Sequence, residues 1–102
     1  MRIAIVSTDN TTVNDHFGRA TRFLIWDLGA AGPSFVEERP APSLSTGDKG
    51  HTFDQSRFDK VLATLVDCKK VYCTKIGDRP AGELNKAGIE PVLYDGPIAA
   101  IR

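Results

Sequence analysis

The stretch Lys70-Val71-Tyr72-Cys73-Thr74-Lys75-Ile76-Gly77-Asp78-Arg79-Pro80 decides the fold. Its first half is a short apolar and β-branched run, which favours a buried strand, and the turn signal that follows places Pro80 in the first turn of a helix. The helix is predicted to run to about Ala87, and Gly88 is placed to end it in the left-handed conformation. Because another strand is predicted at Ile89 to Tyr94, the segment forms a strand–helix–strand unit with parallel strands.

Three more strands are predicted towards the N-terminus. Arg2 to Val6 is a short apolar run, and we expect a strand there rather than a signal peptide because the run turns polar at Ser7. Arg22 to Leu28 and Ser34 to Arg39 flank the short turn Gly29 to Gly32. Strands joined by so short a glycine-containing loop form an antiparallel hairpin.

A helix is predicted between the hairpin and Lys70. Thr52 and Gln55 match a capping box, and an apolar stripe at helical spacing follows, with an expected end near Asp67. The stripe consists of Phe58, Val61, Leu62, Leu65 and Val66. Pro40 to Gly50 lacks apolar periodicity and is predicted to be a loop. Asp95-Gly96-Pro97 is predicted to begin a short terminal helix through Ile98 and Ile101.

The resulting order, β-β-β-α-β-α-β-α, predicts an α/β fold with a mixed five-stranded sheet and helices packed on its faces. The length predicts one domain, residues 1–102. The 13 basic and 13 acidic residues balance, which argues against a dedicated binder of nucleic acid or anionic membranes. No apolar run approaches a membrane span, and two cysteines fit a reducing compartment, so a cytoplasmic location is expected.

Polar side chains follow the predicted first and fourth strands. If these strands are adjacent and parallel, the loop with His16 and Arg19 and the turn with Lys75 and Arg79 leave the same edge of the sheet. Ligands usually bind at that edge in open α/β folds. Unpaired N–H groups at the start of the following helix attract anions, although Asp78 as N-cap would use some of those donors.

Each candidate also has a plainer interpretation. His16 suits iron or copper as a ligand, but a loop histidine can instead bond local backbone while Phe17 fills the core. Arg19 and Arg22 can hold an anion through paired hydrogen bonds, or they can be solvated charges. Arg22 can also form an ordinary cross-strand pair, since it begins the second strand.

The cysteines cannot build a cluster site by themselves. Cys73 alternates with Val71 along its strand and is expected to be buried. Cys68 follows a helix and is expected to be more exposed, either as a thiolate ligand or as a helix-end residue. A standard iron–sulfur site uses four cysteines, so a cluster would arrive preassembled. His51 is expected to be an ordinary loop histidine.

Two segments in this order carry a resemblance to a known family. One is Asp15-His16-Phe17-Gly18-Arg19-Ala20, just before Phe23-Leu24-Ile25-Trp26-Asp27. The other runs from Asp67-Cys68-Lys69-Lys70-Val71 through Lys75 to Leu84 and on to Ala87-Gly88-Ile89-Glu90-Pro91. The pattern resembles the dinitrogenase iron–molybdenum cofactor biosynthesis family. That family includes NifX- and NafY-type carriers, the C-terminal domain of NifB-type proteins and the small orange protein that holds a molybdenum–copper cluster.

The resemblance implies a ribonuclease H-like fold and a noncatalytic carrier, not an enzyme. The implied cargo is an anionic metallocluster bound noncovalently: the iron–molybdenum cofactor, its precursor, or a related cluster of molybdenum with iron or copper. The implied partners are proteins of cofactor assembly or an ATPase. Together with the residue argument, this gives an expected site of His16, Phe17, Gly18, Arg19, Lys75, Gly77 and Arg79, with His16 and, as a further candidate, Cys68 as metal ligands.

Two other functional classes stay open. A protein-interaction module that regulates an ATPase or cofactor assembly, without cargo of its own, fits the same sequence features. A metal-dependent nuclease or phosphatase needs acidic residues clustered at strand ends. Asp9 and Asp27 are the candidates for such a cluster, and no third carboxylate is evidently placed to join them.

Overall fold

The computed structural model describes residues 1–44 and 53–102. Five strands form one sheet in the order β4-β3-β1-β5-β6, and two short strands, β2 and β7, pair separately. The strands are β1 (Arg2–Ile5), β2 (Thr12–Val13), β3 (Arg22–Gly29), β4 (Gly32–Pro40), β5 (Lys70–Cys73), β6 (Glu90–Leu93) and β7 (Gly96–Pro97). β1, β5 and β6 are parallel, whereas β3 is antiparallel to β1 and β4. The mixed five-stranded sheet is therefore confirmed.

The predicted hairpin is β3–β4. Gly29 and Gly32 face each other at its end, and Gly32 has φ +106°, a conformation that glycine adopts without strain. The register shifts within the hairpin: Ile25 pairs with Glu37 and Trp26 with Phe35, so that Val36 is an extra residue on the outer strand. Such a bulge bends and twists the strand that carries it.

Helix α1 (Gln55–Ala63) begins and ends at residues other than those predicted. Its N-cap is Asp54, whose carboxylate accepts the backbone N–H of Arg57 at 3.1 Å. The predicted cap Thr52 lies outside the described residues, as does His51. The helix ends at Ala63 rather than near Asp67, and Val66, assigned to the buried stripe, is 72% exposed.

Helix α2 (Asp78–Lys86) follows the prediction closely except at its first residue. The N-cap is Gly77 rather than Asp78, which lies within the first turn. Gly88, with φ +81°, ends the helical segment in the left-handed conformation as predicted. The expected terminal helix is a short 3-10 turn, Ile98–Ala100. Among the described residues, no helix is long and apolar enough to cross a membrane.

Helices α1 and α2 pack on the same face of the sheet, and of the three predicted helices only the terminal one, a 3-10 turn, lies on the other face. Phe58 and Val61 of α1 and Leu84 of α2 share one buried cluster with sheet residues that include Val71. The opposite face forms a second cluster, closed by Val13 of β2 and by Ile98 and Ile101 near the C-terminal 3-10 turn. One face of the sheet is thus covered by the two helices and the other by β2 and the C-terminal 3-10 turn. Because both faces are covered, a site for a ligand is expected at an end of the sheet.

Candidate functional site

A buried aromatic ring fixes the turn that follows β2. Phe17 begins a 3-10 turn, Phe17–Arg19, and its ring centroid lies 5.7 Å from that of Phe23 in the core. His16 and Gly18 are partly exposed beside it, and Arg19 is exposed. The side chain of Phe17, which was predicted to belong to the site, therefore lies beneath the surface of the turn rather than on it.

The turn that follows β5 presents charge and open backbone. Cys73 ends the strand fully buried, whereas Lys75 and Gly77 are exposed and Ile76 is partly buried against the core. Gly77 caps helix α2 without a side-chain hydrogen bond. The prediction that Asp78 would occupy these donors as N-cap is therefore wrong, and the positive end of the helix dipole opens at this turn.

Backbone hydrogen bonds join the two turns directly. The N–H of Phe17 donates to the carbonyl oxygen of Lys75 at 2.9 Å, and the N–H of Thr74 donates to that of Asp15 at 3.0 Å. His16 and Lys75 form a parallel bridge. β1 and β5, the first and fourth of the strands predicted from the sequence, are adjacent and parallel, so the condition under which both turns leave one edge of the sheet is met.

A cleft of about 310 Å³ opens where the turns meet. It is lined by His16, Gly18, Arg19, Lys75, Ile76 and Gly77. Arg19 and Lys75 bring positive charge to it, the imidazole of His16 is a possible metal donor, and the glycines expose backbone. Five of the predicted residues therefore share one cleft, and Ile76 joins them as a lining residue that the sequence interpretation did not include.

Arg79 lines a neighbouring cleft of about 330 Å³ instead. Gly18 and Gly77 line both clefts and separate them. The guanidinium of Arg79 lies over the ring of Phe53, 4.6 Å from its centroid, and 3.9 Å from the carboxylate of Glu83. Its stacking on Phe53 directs Arg79 away from the cleft that contains His16, so its predicted place beside Lys75 is not observed.

Both cysteines are buried, and neither lines the cleft. Cys73 was expected to be buried, but the expected exposure of Cys68 is wrong, because this side chain is only 2% exposed. Burial is the main cause that raises the thiol pKa of Cys68 to about 12 and that of Cys73 to about 11. Cys68 also lies near the start of β1, where Lys69 donates to the carbonyl of Arg2 at 2.8 Å, so it is at the other end of the sheet from His16.

The two carboxylates proposed for a nuclease or phosphatase site lie apart. Asp9 follows the C-terminal end of β1 and accepts the backbone N–H groups of Thr11 and Thr12, which hold its pKa below the usual range. Asp27 binds Arg2, the first residue of β1, at 3.2 Å. Within residues 1–44 and 53–102, no group of three or more His, Cys, Asp or Glu side chains could hold a metal ion. Asp9 and Asp27, the candidates for an acidic cluster, therefore lie towards opposite ends of β1 and do not form one.

Arg22 forms an ordinary cross-strand pair, which was the alternative to an anion-binding role. Its guanidinium lies 2.6 Å from the carboxylate of Glu38 on the neighbouring strand and also donates to the carbonyl oxygen of Ser7 at 3.2 Å.

Asp15 is a residue beside the cleft that the sequence interpretation did not include in the site. It accepts the N–H of His16 at 2.7 Å and lies 3.8 Å from Arg19. The four-residue spacing between Asp15 and Arg19, which suits an ion pair, is the signal in the sequence that could have identified Asp15.

The fold and the cleft define a small α/β domain with a cationic cleft at the carboxyl ends of its parallel strands. A profile of the dinitrogenase iron–molybdenum cofactor family matches residues 1–101, and the chain belongs to that family.

Individual relatives agree with this assignment. The chain is 38% identical over 93 residues to the FeMo cofactor biosynthesis protein NifB of Klebsiella pneumoniae and 36% over 94 residues to that of Frankia alni. These matches cover 89% and 91% of the chain but only 20% and 18% of the NifB proteins. The protein NifX of Sinorhizobium fredii is 30% identical over 100 residues, which are 97% of this chain and 62% of NifX.

Solved structures share the fold. The crystal structure of PH0822 superposes with a TM-score of 0.69 and 26% identity over 97% of this chain and 84% of that one. The NMR structure of the Thermotoga protein TM1290 gives a TM-score of 0.54 over 96% of this chain and 79% of that one. At 22% sequence identity, this comparison shows only that the two folds are similar.

Proposed function

We propose that the chain is a noncatalytic carrier of an anionic metallocluster, accessory to the biosynthesis of an iron–molybdenum cofactor. The cluster is cargo rather than a resident group, and it contains molybdenum together with iron or copper. The observation that carries the proposal is the cleft between the bridged turns, which is lined by His16 and by the cations Arg19 and Lys75. Family membership and the likeness to NifB and NifX support it.

The donor set of the cleft suits a preassembled cluster. One imidazole, from His16, faces a space whose charged side chains are cations, and the thiols of Cys68 and Cys73 are buried with raised pKa values. A site of this composition holds an anion by charge and shape, with at most one protein ligand. The glycines at positions 18 and 77 let backbone approach a bulky cargo closely.

The first experiment asks whether cargo is present and where it binds. We expect the purified full chain to contain stoichiometric molybdenum with iron or copper and to absorb visible light. Tetrathiomolybdate, a coloured sulfur-rich dianion, is a suitable probe for the emptied protein. In a titration of ¹⁵N-labelled protein, it should shift the amides of His16, Gly18 and Gly77, with Gly88 at the far end of α2 as an internal control.

A variant of His16 separates ligation from simple contact. If the imidazole of His16 coordinates the cargo, His16→Asn should change the visible spectrum of the bound species as well as its affinity, whereas a pure contact residue would change the affinity alone. A colourless protein whose two turns give no amide shifts with the probe would remove the carrier proposal. The protein-interaction module without cargo would then be the better account.

Family membership also supports proposals about the domain, the fold, the partners and the location of the chain. We propose that residues 1–102 act as one domain and that its fold is ribonuclease H-like, an inference supported by an antiparallel hairpin beside three parallel strands. The chain spans about a fifth of the length of the NifB relatives and about three fifths of that of NifX, so activities of those whole proteins are not carried over. Proteins of cofactor assembly or an ATPase are the proposed partners, and the cytoplasm is the proposed location.

A further inference from the structure

Asp15 is an acidic side chain that lies 3.8 Å from Arg19 on the cationic wall of the cleft. Its carboxylate oxygen Oδ1 accepts the backbone N–H of His16 at 2.7 Å, and its own carbonyl oxygen accepts the N–H of Thr74 at 3.0 Å. The side chain is 22% exposed. Asp15 is therefore held firmly in place by both turns, so its negative charge has a fixed position beside the cleft.

The contact of this carboxylate with Arg19 is loose by comparison. Nη1 of Arg19 lies 3.8 Å from Oδ1 of Asp15, and the arginine side chain is 63% exposed. A close ion pair in the same molecule, Arg39 with Asp67, is 2.7 Å long. Exposed pairs at the longer distance contribute little to stability. Arg19 can therefore leave Asp15 without disturbing the fold and turn towards an anion.

We propose that Asp15 is an internal counter-charge that competes with bound cargo for Arg19 and thereby keeps the affinity of the cleft low enough for release. The inference rests on the proposed carrier function and adds its regulation. A carrier must give up its cargo, and a fixed carboxylate beside a mobile cation provides a group to which Arg19 returns when the anion leaves. Asp15 is thus a positioning residue, since it acts on cargo through Arg19.

The test is the affinity for tetrathiomolybdate of wild type and Asp15→Asn. Asparagine keeps an oxygen that can accept the N–H of His16 but removes the negative charge. Arg19 then no longer has a carboxylate that competes with the dianion for its guanidinium, and the gain of this one charge contact should raise the affinity about three- to tenfold at low salt. We therefore expect Asp15→Asn to bind the probe that much more tightly, with a gain that shrinks as ionic strength rises.

A matched control separates local from overall charge. Glu90→Gln makes the same change of net charge at the start of β6, at the other end of the sheet, where Glu90 lies 3.9 Å from Lys70. This variant should bind the probe like wild type. In an Arg19→Gln background the gain from Asp15→Asn should fall to about twofold or less, because pairwise coupling is lost when one partner is removed.

Each outcome decides something. If wild type binds the probe and Asp15→Asn binds it no more tightly than Glu90→Gln does, the counter-charge proposal is overturned while the carrier proposal stands. Asp15→Ser, whose hydroxyl can also accept the N–H of His16, gives the same decision if the asparagine variant does not fold. If the folded wild-type protein does not bind the probe at all, the carrier function and this inference are both overturned.

Discussion

Arg19 and Lys75 are far apart in the sequence, yet both line one cleft because the loop after β1 and the turn after β5 are bridged by backbone hydrogen bonds. Arg19 lies 3.8 Å from the carboxylate of Asp15, and within residues 1–44 and 53–102 the exposed Lys75 forms no ion pair. Guanidinium and ammonium groups of this kind bind anions through charge-assisted hydrogen bonds. At the residue scale, these two cations are the strongest candidates for cargo affinity.

Arg19→Gln and Lys75→Gln should each weaken the binding of tetrathiomolybdate about three- to tenfold at low salt, because each removes one positive charge from the cleft. Titration followed by visible absorbance measures the affinity. Lys86→Gln is the control, since Lys86 makes the same charge change at the last residue of α2. Equal affinities for the three variants would contradict the assignment of the cleft as the binding site.

Phe17→Ala should lower the free energy of unfolding by ~3–5 kcal/mol, because the deleted ring is 1% exposed and leaves a cavity against Phe23. Urea denaturation gives the difference. Phe35→Ala removes a ring that is 56% exposed, and it should lower stability by less than about 1 kcal/mol. A small effect at Phe17 would contradict the burial of its ring beneath the turn.

Cys68 illustrates why residue-level exposure is hard to predict from sequence. The apolar stripe in the sequence includes Leu65, which is indeed buried although it lies beyond the end of the helix at Ala63. Cys68 was therefore expected to follow a longer helix. The helix in fact ends earlier, and a turn in which the N–H of Cys68 donates to the carbonyl of Leu65 points the thiol into the core. Long-range packing, rather than local periodicity, decides this position.

At the scale of elements, strands and turns with a local signature were predictable. The β3–β4 hairpin, β5, α2 and the left-handed Gly88 follow from turn residues and apolar runs within a few positions. The pair β2–β7 was not predicted, because two-residue strands have no periodicity and their pairing joins the two ends of the chain. The N-cap of α1 was misplaced because Thr52 and Asp54 are both residue types that favour this position, so the sequence alone does not decide between them.

Two glycines of the α2 segment should respond to alanine with opposite signs. At Gly88, φ is +81°, so Gly88→Ala should destabilise the protein by roughly 1–2 kcal/mol. At Gly82, within the helix, an added Cβ meets nothing within 4 Å, so Gly82→Ala should stabilise it by about 0.5–1 kcal/mol. Thermal or urea unfolding of the two variants measures both effects. Shifts of the same sign would contradict the described conformation of this segment.

At the scale of the whole molecule, the sequence predicted the sheet and the meeting of the two turns but not the distribution of helices. The parallel pairing of β1 with β5 was the step that placed the site, and the sequence argument assumed it as a condition that the structure meets. Which face each helix covers depends on the handedness and length of the connections. Here Phe58 of α1 and Leu84 of α2 share one core, and Ile98 helps to close the other.

An ion-pair network at the end of the sheet opposite the cleft should make stability depend on acid pH. The Asp67 carboxylate accepts hydrogen bonds from Arg39 at 2.7 Å and from Arg2 at 3.2 Å, and these bonds, that of Arg39 first, lower its pKa. An unfolded aspartate has a pKa of about 3.9. Because the folded-state pKa is lower, the contribution is complete above about pH 4 and is lost as the pH falls through the folded value.

Asp67→Asn should therefore be less stable than wild type at neutral pH, and the difference should shrink in acid below about pH 4. Urea unfolding of both proteins at neutral and acid pH tests this. Glu90→Gln provides a variant with the same charge change outside the network. A difference between Asp67→Asn and wild type that stays constant across the range would mean that Asp67 does not contribute through its charge.

The bridge between His16 and Lys75 exists only once β1 and β5 have assembled, since it joins segments that are distant along the chain. Whatever occupies the space between them is bound by the native protein and not by the unfolded chain, so its binding free energy adds to that of folding. If the proposed cargo binds there, a filled molecule should resist heat and proteolysis better than an empty one. Degradation of the protein in the cell would then depend on the supply of that proposed cargo.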